Sequence, residues 1–104
     1  MLFRSTESNL VAFGFRAGYS NAGAYNTAIG TSALRQNTTG TNNVAVGTSA
    51  IENGIGGSYA VAVGVNALVG NTGNSNTALG YASMVSNTSG TNNVAVGQIG
   101  RAHV

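Results

Sequence analysis

The chain has no cysteine, no proline, no tryptophan, no lysine and no aspartate among its 104 residues. Each absence removes a class of protein. Without cysteine there is no disulfide framework and no thiol chemistry, and the redox compartment stays open. Charge is almost missing too. Only Arg4, Arg16, Arg35, Arg101, Glu7 and Glu52 are charged, 6% of the chain. Two carboxylates and a lone histidine, His103, cannot assemble the usual metal site or an acid/base pair within one subunit, so no cofactor and no enzymatic activity are expected. Four scattered arginines and a net charge of +2 are not a nucleic-acid footprint. Apolar runs are all short, far below the ~20 residues of a helical membrane span, and the first residues lack the basic-then-apolar layout of a signal peptide.

What is abundant is small and polar. Gly, Asn, Thr and Ser make up 51 of the 104 residues. Composition alone would permit a disordered segment, but the apolar residues fall in columns. Six copies of one motif recur: Val11-Ala12-Phe13-Gly14, Thr27-Ala28-Ile29-Gly30, Val44-Ala45-Val46-Gly47, Val61-Ala62-Val63-Gly64, Thr77-Ala78-Leu79-Gly80 and Val94-Ala95-Val96-Gly97. The glycines are spaced 16, 17, 17, 16 and 17 residues apart. A longer match, residues 37–44 against 87–94, lies three repeats on. Regular repetition at short period is the signature of a solenoid.

Numbered from its motif glycine, each repeat has a bulky apolar residue one position before (Phe13, Ile29, Val46, Val63, Leu79, Val96) and a β-branched residue three before. Side chains alternate along a strand, so these two columns share a face, and they are read as the core of the roll. Alanine stands between them in all six copies: Ala12, Ala28, Ala45, Ala62, Ala78 and Ala95. A face that admits only alanine is sterically confined, and it is assigned to contact with another subunit. A second apolar pair after the glycine (Ala33-Leu34, Ala50-Ile51, Ala67-Leu68, Ser83-Met84) reads as a second short strand or extended segment. Gly23, Gly40, Gly57, Gly73 and Gly90, seven before the motif glycine, mark turns or close backbone approach. The architecture predicted is all-β: a parallel β-roll of six 16–17-residue coils over 9–100, with an N-terminal cap at 1–8 and a C-terminal tail at 101–104. So thin and glycine-rich a roll buries few apolar side chains for the backbone it must order, which points to a homo-oligomer.

The units at residues 26–34 and 43–51 resemble the head repeats of the trimeric autotransporter adhesins, the YadA-like heads, and more closely the related repeats of bacteriophage tail fibres and other virion appendages. The resemblance spans roughly residues 9–100. It implies a left-handed roll and three chains around one axis, with apolar columns inside and small residues at the subunit contacts. The repeat here is longer than that of the adhesin heads, so the turns should differ. The expected function is a non-enzymatic, trimeric fibre or adhesin module, a tail-fibre or virion-appendage segment for host-surface attachment. The expected partners are other virion proteins and a host glycan or protein receptor, with neither nucleic acid binding nor membrane insertion. Location is the virion, or the cell surface for an adhesin. The alternatives are a purely structural virion protein (capsid decoration or fibre shaft) and an ice-binding solenoid. An ice-binding face needs a full threonine ladder, whereas Thr27, Thr31, Thr41, Thr48, Thr77 and Thr91 scatter over several columns.

Smaller features have plain readings. Asn37-Thr38-Thr39 and Asn87-Thr88-Ser89 match the glycosylation pattern but suit turns. Gly54-Ile55-Gly56-Gly57 lacks the lysine and helix of a phosphate cradle. Tyr19, Tyr25, Tyr59 and Tyr81, with Phe15, are the candidates for surface binding. Leu2, Phe3 and Phe13 are read as a plug for the N-terminal end, which would otherwise expose strand edges.

Overall fold

In the computed structural model, residues 3–4, 9–85 and 87–98 are described. The six motifs become six three-residue strands: β2 (Val11–Phe13), β3 (Thr27–Ile29), β4 (Val44–Val46), β5 (Val61–Val63), β6 (Thr77–Leu79) and β7 (Val94–Val96), preceded by β1 (Phe3–Arg4). They form one sheet in chain order. From β2 to β7 every pairing is parallel, with alanine opposite alanine throughout. Parallel neighbours joined by a full circuit of chain are the definition of a solenoid, so the all-β parallel roll is the fold. β1 runs antiparallel to β2 and covers the open edge of the first coil. His103, Arg101, Leu2 and the tail at 101–104 lie outside the described residues, as do most of the cap at 1–8 and the side chain of Phe3.

Inside and outside are the reverse of the sequence expectation. The alanine column is buried in a single chain, with Ala12, Ala28, Ala45, Ala62 and Ala78 fully covered and Ala95 nearly so. The residues assigned to the core face outward: Phe13, Ile29, Leu79 and Val96 are exposed, and Val46 and Val63 are half-exposed. Phe13 therefore lies on the outward face and not in the lumen. The reason is width. The narrowest Cα extent of the molecule is only 15 Å, and the space behind the strand is already taken by Ala33, Leu34, Ala50, Ile51, Ala67 and Leu68 from the opposite wall. Only a methyl group fits between.

The wall opposite is not a second strand. Residues 31–36 and their equivalents are turns in which alternate residues adopt left-handed φ: Ser32 (61°) and Leu34 (52°), Ser49 (61°) and Ile51 (51°). Backbone donors there alternate in purpose. Ala33 N–H closes a turn on Gly30 O within its coil (3.2 Å), whereas Leu34 N–H reaches Ala50 O one coil on (2.9 Å). The apolar pair is thus a stack of bonded turns, with Leu34, Ile51, Leu68 and Met84 turned inward. Left-handed φ on leucine and isoleucine is costly for an isolated residue; here inter-coil bonds and burial hold it.

Two asparagine ladders stitch the polar end of the lumen. Four before the motif glycine, buried Asn26 and Asn43 each accept the N–H of the next coil on Oδ1, from Asn43 and Ala60 (both 2.8 Å), and donate through Nδ2 to the Gly40 and Gly57 carbonyls (2.9 and 2.8 Å). Asn76 repeats this with Asn93 N–H (3.0 Å) and Gly90 O (2.6 Å). Seven after the glycine, Asn37 donates to Asn21 Oδ1 (2.6 Å) and Asn87 to Asn71 Oδ1 (3.0 Å). Both ladders skip the fourth circuit, where Gly54 and Ala60 stand, and the buried Asn37 Oδ1 is left without a partner. The glycines beside the ladders are obligatory. A Cβ on Gly40 would be driven into the carbonyl oxygen of Gly57 one coil on.

Candidate interaction surface

With alanine turned in, the strand face presented to solvent is apolar except for Thr27 and Thr77. Its two columns are Val11, Thr27, Val44, Val61, Thr77, Val94 and Phe13, Ile29, Val46, Val63, Leu79, Val96. They stand on every coil, in register, because parallel stacking sets like over like. At ~4.8 Å per coil the ladder is about 29 Å long. A strip of that length and two side chains wide covers ~300 Å², within the size range of the largest apolar patch on a typical monomer, which is often functional. No side chain on it is charged.

Aromatic residues flank the strip. Tyr25 and Tyr59 stand in the bend two residues before the β-branched column, outside the strand, and Phe15 and Tyr81 follow the motif glycine. All four are at least 60% exposed, as is Tyr19 on the turn after the first motif. The structure does not gather the tyrosines into one cluster: Tyr25 and Tyr59 are two coils apart, and Tyr81 sits on another column from both. Tyr25 and Tyr59 have left-handed φ near 60°, which fixes the backbone that aims them. Arg16 lies over the Phe15 ring, 5.1 Å from its centre, an attractive cation–π pair.

Elsewhere among the described residues there is one ion pair. Arg35 Nε donates to Glu52 Oε2 at 3.0 Å across adjacent coils. Among the described residues no three His, Cys, Asp or Glu side chains converge on a point. Sequence reasoning named every residue of the outer strip but gave it to the interior. The signal that separates the faces is variability between copies. Alanine is invariant because the lumen is of one width, whereas Phe, Ile, Val and Leu interchange in a column that opens outward.

Searches against family models, curated proteins and solved structures found no match for this chain in any of the three.

Proposed function

We propose that this chain is a non-enzymatic structural and adhesive module, a segment of a trimeric fibre such as a bacteriophage tail fibre or virion appendage, serving attachment to a host surface. The carrying observation is the uncharged, mainly apolar strip that runs along the six strands on one face of the sheet. Three copies packed around an axis with these strips inward would bury it, and the resemblance of the repeats to trimeric adhesin heads supplies the number three. The contact residues in this reading are the outward columns, not the alanines, which each chain buries for itself. The left-handed sense of the coil is what the same resemblance implies.

Turns and tyrosines would then face outward, repeated threefold, so that weak contacts to a glycan or protein receptor add by avidity. Light scattering tests the assembly. A particle of three times the 10.3 kDa chain mass is expected, and a stable monomer at micromolar concentration would sink the reading. Whole-cell binding tests attachment: Tyr25→Ala with Tyr59→Ala should leave the trimer intact and reduce binding to cells. Undiminished binding by that variant would move the receptor contact elsewhere. Failure of the parent trimer to bind any cell would favour a fibre shaft or capsid decoration.

A further inference from the structure

One column of the roll alternates aromatic and polar residues. Five before the motif glycine, in the bend that leads into the strand, stand Tyr25, Asn42 and Tyr59 on three successive coils. All three are exposed, the tyrosines by 62% and 61%. Their backbones are equivalent. Each has left-handed φ, at 61°, 59° and 60°. Each later residue is bonded to the coil before it in the same way: Asn42 N–H donates to Ala24 O and Tyr59 N–H to Thr41 O, both at 3.0 Å. Equal φ on coils stacked in register sends the two tyrosine side chains out in one direction. Two coils at ~4.8 Å each set them ~9.6 Å apart along the roll. Because the bonded bend already fixes their backbone, little main-chain freedom is lost when they take up a ligand.

The ground between the rings is polar and neutral. Asn42 fills the middle coil, and its Nδ2 donates to Thr41 Oγ1 (3.2 Å). Thr41 N–H in turn donates to Ser58 Oγ on the next coil (3.0 Å). No charged residue occupies this column or the one on either side of it. Two aromatic rings facing one way, with uncharged donors and acceptors between them, are what a chain of sugars meets well: apolar C–H faces for the rings and hydroxyls for the amide.

We propose that Tyr25, Asn42 and Tyr59 form a subsite for a neutral, extended β-1,4-linked glycan lying along the roll. The proposal rests on the reading of the tyrosines as receptor contacts, and it names the chemistry of the receptor. In an extended β-1,4-linked chain each ring is turned over relative to the one before, so every second ring presents the same face. The length of that two-sugar repeat is close to the spacing of the tyrosines. One sugar lies on Tyr25, the next but one on Tyr59, and the sugar between them meets the Asn42 amide. A wound α-1,4-linked chain does not set its rings in line, and an acidic glycan finds no cation in these columns. So shallow a site is weak in one chain and gains from repetition.

The test titrates the full-length chain with cellohexaose and chitohexaose, soluble β-1,4-linked oligomers of glucose and of N-acetylglucosamine, with α-1,4-linked maltohexaose as the control. Binding of at least one β-linked oligomer is expected, and it identifies the sugar; maltohexaose should bind at least tenfold more weakly. Tyr25→Asn and Tyr59→Asn should each weaken binding at least tenfold. Both keep the fold, checked by circular dichroism, because Asn42 already holds the same φ in the same column. Tyr25→Phe should bind as the parent does, since the ring and not the hydroxyl makes the contact, and Tyr19→Ala should change nothing. Absence of binding by both β-linked oligomers, equal binding of maltohexaose, or binding indifferent to Tyr25 and Tyr59 overturns the proposal. If neither oligomer binds while the double asparagine variant still loses attachment to cells, this assignment falls alone and the receptor has another chemistry. Glycan binding that depends on both tyrosines, from a trimer that attaches to no cell, upholds the site and removes the attachment reading instead.

Discussion

At the scale of single residues, stability rests on small side chains with strict positions. Asn76 occupies three bonds at once: from its Nδ2 to Asn71 Oδ1 (2.9 Å) and Gly90 O, and to its Oδ1 from Asn93 N–H. Asn76→Ala should destabilise the fold by about 2–4 kcal/mol, since it strands buried polar groups; chemical denaturation measures it. Ala60 is the reverse case. It stands where an asparagine would accept the Asn76 N–H, so Ala60→Asn should raise stability by ~1 kcal/mol, visible as a melting temperature higher by a few degrees. No gain would show that the fourth coil has no room for the longer side chain. Gly40→Ala should abolish folding, because the clash is with backbone one coil on. In contrast, Glu52→Gln breaks only a half-exposed pair with Arg35 and should cost less than ~1 kcal/mol.

At the scale of the strand, two substitutions one residue apart should fail in different ways. Ala45→Leu forces three more carbons into a lumen with no space, and overpacking of this kind costs ~1–3 kcal/mol or more. Because the lumen is continuous from coil to coil, the loss should appear as unfolding by circular dichroism. Val44→Glu with Val61→Glu, on the outward face, should preserve the sheet signal and abolish oligomers in light scattering. Oligomers that survive both charges would place the subunit contact on another face. Glycine and alanine columns explain why each strand can be so short. Three residues per strand give little on their own, but the turn segments carry a second inter-coil ladder, so most of the coil circumference is bonded to its neighbours.

For the whole molecule, the six coils make a stack about 29 Å tall, and the chain measures 15 Å at its narrowest. Such a shape has much surface for its volume, and its interior is built from alanines, a few larger aliphatics and paired asparagines. Burial of the outer strip would then be a large share of total stability. The melting temperature should therefore rise with protein concentration, as it does wherever assembly and folding are linked. A concentration-independent melting temperature over a hundredfold range would mean that the single roll is self-sufficient.

Much of this fold is legible in the sequence. The motif spacing places all six parallel strands and their register, because stacking like on like requires each column to repeat one residue type. The glycine seven before the motif glycine in five of the six copies announces the close backbone approach found at Gly23, Gly40, Gly57 and Gly73. The asparagine ladders are visible as columns, although their inter-coil bonding is not, since a turn asparagine and a buried ladder asparagine look alike in one dimension. What only the tertiary structure decided is the sign of the strand. Period-two alternation divides a strand into two faces without saying which one is inside. That choice belongs to the opposite wall, whose leucines and left-handed turns come from residues five and six positions beyond each strand alanine, across the lumen of the same coil, and leave room for a methyl group alone. Alanine goes in, valine and phenylalanine go out, and the surface of the protein becomes the face that the sequence had reserved for its core.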